Sequence, residues 1–373
     1  MENRVCERLG IEFPILAFTH CRDVVAAVTK AGGMGVLGAA AHTPEALDID
    51  LRWIREQVGD RPFGVDVIIP AKYEGKGGDE FSRDALAKLI PAEHKQFVDD
   101  LLRRYDVPPL PDDEGAHRDG AAPMSYAQAV PLMDIAFSHP ISLIANALGP
   151  PPPDLIDRAH AQGVAVAALA GKVSHAVRHE AAGVDLIVAQ GYEAGGHTGD
   201  IGTMVLVPEV VDAVSVPVLA AGGIARGRQM AAALALGAEG VWCGSVWLTT
   251  EEAETHPTVK QKFLAATSSD TLRSRSRTGK PARQLRSAWT DEWESAESPG
   301  PLGMPLQPLL IAEASARIDR AANDPRSKAA QLANYFVGQV VGSMNEVKPA
   351  GRVVIEIVEE LIDSMERVNG MMR

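Results

Sequence analysis

Eight short apolar runs, each followed by a stretch of helical periodicity, constrain the fold of this chain more than any other feature of its sequence. Most of the runs are rich in Val, Ile and Ala and show little alternation, which is typical of parallel strands buried on both faces. We therefore expect an α/β protein built as a (β/α)8 barrel, with a doubly wound open sheet as the alternative. The predicted strands are Phe13–Ala17, Met34–Ala39, Phe63–Ile69, Ile141–Ala147, Val164–Ala170, Leu186–Gln190, Val216–Ala221 and Gly240–Leu248.

The eight units occupy residues 1–250, and the pattern after residue 250 becomes helical and irregular. With 373 residues and 46% hydrophobic content, the chain can bury a large core. We therefore expect residues 251–373 to form a helical extension packed on the barrel. Its last element is a predicted amphipathic helix over Arg352–Val368.

An insertion over residues 71–140 separates the third and fourth predicted strands. It contains predicted helices over Phe81–Tyr105, with a break at Pro91, and over Tyr126–Phe137, joined by a linker rich in Pro, Asp and Gly. An insertion at this place leaves from the C-terminal end of a strand, the end at which barrels build their active sites. Two interpretations stay open: the insertion is a lid over the site, or it only packs on the outside of the barrel.

The composition argues against several classes of function. A net charge of −13 makes nucleic acid and anionic membrane surfaces poor partners. The basic run from Arg273 to Arg286 is interpreted as a solvated surface or a clamp for an anionic ligand. The N-terminus is polar, and no apolar run approaches the roughly 20 residues of a membrane-spanning helix. The chain has three cysteines: Cys6, Cys21 and Cys243. Their spacing fits neither a disulfide framework nor a metal motif, which favours a reducing, cytoplasmic location.

One glycine motif stands in the wrong context for a dinucleotide. The segment Gly33–Gly38 matches GxGxxG, but it follows a predicted helix and enters a strand. The dinucleotide fingerprint requires a strand first and a helix second. We interpret these glycines as a tight turn between helix and strand and expect no FAD there.

Two later glycine loops predict a phosphate site. The loop after the seventh predicted strand contains Gly222 and Gly223, and the eighth predicted strand contains Gly244 and Ser245. In barrels, the loops after strands seven and eight commonly hold a phosphate. Backbone N–H groups at these four residues could bind it, because glycine lets the backbone approach closely.

A third glycine-rich loop ends in a candidate catalytic residue. Between the sixth predicted strand and the next helix, the ten residues from Gln190 to Gly199 include four glycines. We interpret them as a backbone that passes close to a flat ligand. His197 lies in this loop on the expected catalytic face, and histidine can accept a proton near neutral pH. Glu193 either orients the loop or is solvated.

Together, QGYEAGGHTG, AAGGI and WCGS resemble the nitronate monooxygenase (2-nitropropane dioxygenase) family and its relative, the FMN-containing bacterial enoyl-acyl carrier protein reductase. The resemblance implies FMN at the C-terminal mouth of the barrel, its phosphate on the two glycine loops, and His197 as the catalytic histidine. The flavin-binding positions that it implies are Ala17, Phe18, Asp66, Asn146, Gln190, Gly195, Gly196, Gly222, Gly223, Trp242, Cys243, Gly244 and Ser245.

Four details favour the monooxygenase branch: Gln190, the long insertion before the fourth predicted strand, the segment LGPPPPDLI after that strand and the segment Thr278–Arg286. Three others depart from the family. The loop Ala17–Arg22 lacks the usual glycine and methionine, and GSV stands where GTR or GTA is common. Asp66 replaces a frequent asparagine; an ionised carboxylate cannot donate a hydrogen bond, and its charge would oppose a reduced, anionic flavin.

The sequence therefore predicts an enzyme that oxidises alkyl nitronates or nitroalkanes with FMN and O2, with His197 abstracting the α-proton or holding the anion. One alternative is an NAD(P)H-dependent FMN reductase of an enoyl thioester or quinone, in which His197 donates a proton. A second alternative is a flavin-binding protein without this activity. The expected partners are a small-molecule substrate and O2, with a homodimer left open.

Overall fold

The computed structural model of the protein describes residues 1–69, 83–111 and 126–372. Its strands are β1 (Ile15–Thr19), β2 (Met34–Gly38), β3 (Gly64–Val67), β4 (Leu143–Asn146), β5 (Ala165–Ala170), β6 (Leu186–Gln190), β7 (Gly196–His197), β8 (Val218–Ala221), β9 (Gly240–Cys243), β10 (Thr271–Ser274) and β11 (Ala282–Leu285). All but β7, β10 and β11 form one closed parallel barrel, in which β9 returns to pair with β1. The predicted (β/α)8 barrel is confirmed, and the open sheet is wrong.

Helices surround the barrel and form most of the C-terminal extension. They are α1 (Arg4–Leu9), α2 (Arg22–Lys30), α3 (Pro44–Val58), α4 (Arg83–Lys88), α5 (Ala92–Arg104), α6 (Tyr126–Ser138), α7 (Pro153–Ala161), α8 (Val173–Ala181), α9 (Thr203–Ala213), α10 (Gly227–Ala235), α11 (Pro257–Ala265), α12 (Ala288–Trp293), α13 (Leu306–Ala321), α14 (Ala329–Leu332) and α15 (Ala350–Met371). Among the described helices, none combines the length and the apolar character needed to cross a membrane.

Two clusters of buried side chains hold the barrel together. Alternate strand residues such as Leu16, Val36 and Leu186 point inward and pack with Val5 and Leu9 of α1. The residues between them point outward and pack against the helices. Because α1 contributes to the inner cluster, it covers the N-terminal end of the barrel, and the C-terminal end is left for ligands.

The bounds of the first and last barrel strands differ from the prediction, and the difference concerns the site. Strand β1 begins two residues later than predicted, since Phe13 donates its N–H to Gly32 in a loop and Pro14 has no N–H to give. Strand β9 ends at Cys243 instead of Leu248, and residues 245–249 form a 3-10 helix. The Trp247 indole fixes this turn by donating to the Cys243 carbonyl over 2.7 Å.

The described part of the insertion packs on the C-terminal extension. Helices α4 and α5 contact α13, and the ring of Phe97 meets that of Trp293 edge to face at 4.9 Å. Helix α6 packs on α3 and β3, as a barrel helix does. The remaining residues of the predicted lid, 71–82 and 112–125, lie outside the described residues. Helices α4 and α5 are thus anchored to the extension, and α6 is anchored to the barrel.

The extension contacts the barrel through its hairpin and through its last helix, among other places. Its hairpin of β10 and β11 forms a second sheet with β7, so that His197 is paired with a strand from the far end of the chain. Helix α15 packs on α10 and α2. A Cβ added at Gly227 would lie 2.2 Å from the Ile357 carbonyl oxygen, which shows how closely the backbones of α10 and α15 approach.

Candidate active site

The parallel strands bring most of the predicted site residues to one end of the barrel. Phe18, Asp66 and Gln190 lie at the C-terminal ends of β1, β3 and β6. The two predicted phosphate loops follow β8 and β9, which are neighbours in the barrel. This end of the barrel, together with the loops after its strands, is called the mouth below.

Three predicted residues turn their side chains away from the mouth. Ala17 and Cys243 belong to the outer cluster, so that only their backbone can reach a ligand at the mouth. The buried Asn146 amide is occupied by the loops: its Oδ1 accepts from the Ile69 N–H at 2.9 Å, and its Nδ2 donates to the Gly149 carbonyl at 3.1 Å. The Asn146 side chain therefore fixes the turn after β4.

His197 is held by a single hydrogen bond to the hairpin of the extension. Its Nδ1 lies 3.2 Å from the Pro281 carbonyl oxygen, and His197 is paired in register with Ala282. Because a carbonyl oxygen can only accept, Nδ1 carries the proton and donates it. The other nitrogen, Nε2, keeps its lone pair and makes no hydrogen bond to any described residue.

The surroundings of His197 keep it neutral. Burial lowers the pKa of its imidazole, and the nearby positive charge of Lys280 lowers it further, against the opposing effect of the Pro281 carbonyl. A neutral imidazole with a free Nε2 can accept a proton. The arrangement therefore suits a base.

Close contacts within the protein explain three of the four glycines of the His197 loop, and the approach of a flat ligand to this loop stays a prediction. A Cβ at Gly191 would lie 2.0 Å from Thr203 Oγ1, and one at Gly199 would lie 2.6 Å from the Gly171 oxygen. A Cβ at Gly195 would lie 2.8 Å from the Val337 backbone. Gly196 has open space around it but a φ of +74°.

Gly338 brings the extension against both the His197 loop and the phosphate loops, and sequence reasoning missed it. Its N–H donates to Ser245 Oγ over 2.8 Å, and the N–H of Gln339 donates to the Glu193 carbonyl over 2.9 Å. A Cβ at Gly338 would lie 3.1 Å from the Gly195 nitrogen. The only sequence signal is a glycine in an irregular segment, which gives no hint of a contact with residues so distant in sequence.

The predicted phosphate loops present free donors. Gly222 and Gly223 both have positive φ, +90° and +73°, which turns the chain sharply after β8. In the described part of the chain, no protein acceptor takes the backbone N–H groups of Gly222, Gly223, Gly244 or Ser245. Four such groups on neighbouring loops suit an anion.

The side chains of the loop before His197 are structural. The Glu193 carboxylate caps α9, accepting from the Thr203 N–H at 2.9 Å and from its hydroxyl at 2.8 Å. Arg283 donates to the Tyr192 carbonyl at 3.1 Å and stacks on the Tyr192 ring. The guanidinium of Arg273 also stacks on this ring. Glu193 thus orients the loop. The two arginines of the basic run are bound to Tyr192 of the protein itself and do not form a free cationic patch.

Asp66 is a buried carboxyl group at the inner face of the mouth. Val65 and Val67 pack in the outer cluster, so Asp66 between them points into the barrel. It is 3% exposed, and its Oδ2 has no hydrogen-bond partner among the described residues. Burial raises the pKa of this carboxyl well above its ordinary value. The raised pKa favours the protonated carboxyl, which can donate a hydrogen bond, over the charged carboxylate expected from the sequence.

Aromatic rings and a second histidine complete the side of the mouth formed by β1, β2 and β9. Phe18 stacks on Trp242 with ring centroids 6.2 Å apart. His20, in the loop after β1, meets the Phe18 ring edge to face at 5.2 Å. The sequence marked this loop only as a departure from the family. The rule that singled out His197, a histidine after the C-terminal end of a barrel strand, applies to His20 as well.

Known proteins with related sequences or structures agree on a family. The family model described as nitronate monooxygenase matches residues 5–360. A Mycobacterium tuberculosis protein, to which a monooxygenase activity is provisionally assigned, is 62% identical over 374 residues and is covered over 100% of both chains.

Two solved structures extend the comparison to the fold. A nitroalkane oxidase from Streptomyces ansochromogenes superposes with a TM-score of 0.79 at 26% identity, over 98% of this chain and 100% of that chain. FabK from Thermotoga maritima superposes with a TM-score of 0.73 at 28% identity, over 100% of this chain and 99% of the other.

Proposed function

The chain belongs to the nitronate monooxygenase family, and from this we propose that it is an FMN-dependent enzyme that oxidises alkyl nitronates or nitroalkanes with O2. The observation that carries the proposal is the geometry of His197. Its protonated Nδ1 is bound to the Pro281 carbonyl, and its Nε2 is free to accept a proton at the mouth. The similarity to a nitroalkane oxidase over nearly the whole chain supports this choice of substrate.

The residues at the mouth fit FMN. The unpartnered N–H groups of Gly222, Gly223, Gly244 and Ser245 would hold its phosphate. The inward-facing carboxyl of Asp66, with its unpartnered Oδ2, can meet the polar edge of the ring. The two loops offer one phosphate site, which favours FMN over FAD. FMN supplies the electron transfer and the reaction with oxygen.

His197 handles the proton. When the substrate is a neutral nitroalkane, the α-carbon loses its proton to Nε2, and the imidazolium that forms stays bound to the Pro281 carbonyl through Nδ1. When the substrate arrives as a nitronate, it has already lost that proton. Lys280 lowers the pKa of His197 through its positive charge, and the same charge favours an anionic substrate nearby.

A reductase remains the second candidate, because FabK is as similar in sequence as the nitroalkane oxidase, at 28% against 26% identity. In that reaction NADH or NADPH would reduce the flavin, and His197 would donate a proton to an enoyl thioester or quinone. The third candidate is a protein that binds flavin but catalyses no reaction.

A flavin-reduction panel separates these candidates. The purified holoenzyme is mixed anaerobically with ethylnitronate, nitroethane, NADH, NADPH or an enoyl thioester, and bleaching of the flavin is followed before and after air is admitted. We expect rapid bleaching by ethylnitronate and recovery of the oxidised spectrum with O2. Rapid bleaching by NADH or NADPH alone would instead support the reductase, and no bleaching by any compound would support the binding protein.

A further inference from the structure

Hydrogen bonds separate two of the described histidines from six others. In six of the described histidines, Nε2 is engaged with a carboxylate or carbonyl oxygen: His42, His94, His139, His160, His179 and His256. His20 and His197 are held through Nδ1 instead, and both lie at the mouth. In both rings Nδ1 therefore carries the proton, and Nε2 has no hydrogen-bond partner among the described residues.

The His20 ring is fixed in place by backbone. Its Nδ1 lies 3.0 Å from the Gly38 carbonyl oxygen, which can only accept, so Nδ1 carries the proton. A Cβ at Gly38 would lie 2.6 Å from both Nδ1 and Cε1 of the ring. The imidazole thus fills the space that a side chain at residue 38 would need, and the missing Cβ is what allows it to lie there.

His20 is open to solvent at the mouth but has protein packed around part of its ring. The residue is exposed to solvent. Protein nevertheless surrounds the ring closely enough that desolvation lowers the pKa of its imidazole, with His42 lowering it further and the Gly38 carbonyl opposing both. Gly38, which holds the ring, pairs in register with Asp66, the buried carboxyl of the mouth.

We propose that His20 is a second ligand-facing residue of the mouth, whose Nε2 accepts a hydrogen bond or proton from the bound molecule. A partner for it must carry an acidic C–H, N–H or O–H group, which a nitroalkane does at its α-carbon. The inference rests on the proposed function for the choice of nitroethane as probe. It adds a second acceptor nitrogen on the side of the barrel formed by β1 and β2, away from the His197 loop.

Chemical modification tests the placement directly. The oxidised holoenzyme is treated with diethyl pyrocarbonate, with and without nitroethane under anaerobic conditions, and the modified histidines are identified by peptide mass. At a nitroethane concentration of about ten times its Kd, we expect the modification rates of His20 and His197 to fall by roughly tenfold, in proportion to occupancy. His160 is the control, since it lies on α7 beside Asp185 and is partly exposed.

The outcomes distinguish this inference from the proposed function. Protection of His197 without protection of His20 would overturn the inference and leave the proposed function standing. Protection of neither histidine would count against both. Protection of both, with His160 unchanged, would support both.

Two variants give a second measurement. His20→Phe keeps the contact with Phe18 but has no nitrogen, and Gly38→Ala displaces the unaltered imidazole. Both should keep FMN bound and weaken nitroethane binding by about 3- to 10-fold, the range for one neutral hydrogen bond, as measured by the difference spectrum of the flavin. His20→Gln should recover part of the loss. A Kd within about twofold of the wild-type value for both variants would overturn the inference.

Discussion

The carbonyl oxygen of Pro281 lies 3.2 Å from Nδ1 of His197, although Pro281 is 84 residues further along the chain. This contact fixes the tautomer of the proposed base, and it brings Lys280 into its neighbourhood. The proposed site is thus completed by the C-terminal extension. Several consequences can be measured.

Removing the charge of Lys280 should move the pH dependence of the reaction. Lys280 lowers the pKa of His197, so Lys280→Met should raise it, and the acidic limb of kcat/KM for neutral nitroethane should shift to higher pH. Lys280→Arg keeps the charge and serves as the control. An identical pH profile for the Met variant would show that Lys280 does not act on the titrating base.

Two glycine variants separate protein packing from cofactor approach. Gly195→Ala would place a Cβ 2.8 Å from the Val337 backbone and should destabilise the protein by about 1–3 kcal/mol even without FMN. Gly196→Ala meets open space but keeps a φ of +74°, and should cost about 1–2 kcal/mol. Urea unfolding of the FMN-free protein measures both. If Gly195→Ala were destabilising only when FMN is present, the cofactor would be the reason for the glycine.

The docking of α15 depends on one glycine of α10. Gly227→Ala would place a Cβ 2.2 Å from the Ile357 carbonyl, so α15 must shift, at a cost of about 1–3 kcal/mol. Limited proteolysis should then cleave within residues 350–372. Gly370→Ala is the matched control within α15, because nothing lies within 4 Å of its added Cβ. Equal protease resistance and stability in the two variants would contradict the close packing.

Asp66 should make stability depend on pH in a defined direction. Burial raises its pKa in the folded protein well above the ordinary value of 3.8, so the folded state keeps a proton that the unfolded state loses. Stability then falls as pH rises from about 4 towards the folded pKa, by up to about 1.36 kcal/mol per pH unit. Asp66→Asn removes this dependence, and in urea unfolding its stability relative to wild type should rise over the pH range above about 4. A constant difference over that range would mean that Asp66 is ionised in the folded protein.

The features of the fold that depend on local sequence pattern and strand order could be predicted from the sequence. The apolar runs predicted all eight barrel strands, because each buried parallel strand has its own compositional pattern. Placement after a strand also marked Gly222, Gly223 and His197 as loop residues of one end of the barrel. Strand bounds were less well predicted where a single proline or a tryptophan hydrogen bond decides them, as at Pro14 and Trp247.

The sequence did not predict what depends on contacts between distant segments. Nothing local in the chain shows that β11 pairs with His197 or that Gly338 meets Ser245. The charge state of Asp66 likewise follows from burial in three dimensions. The His197 loop glycines were correctly marked as special, but the sequence did not show the close contacts that Gly191, Gly199 and Gly195 make with Thr203, Gly171 and Val337. The approach of a flat ligand to this loop stays a prediction.

The most direct test of the proposed function compares two forms of one substrate in His197→Asn. In the proposed site the loops rather than the imidazole would hold the cofactor, so FMN should stay bound. Turnover of neutral nitroethane should fall by roughly 10²–10⁴, the usual contribution of a positioned base, and turnover of preformed ethylnitronate should fall much less. Equal losses on both forms would mean that His197 binds the anion and moves no proton, and no loss on either would remove His197 from the reaction.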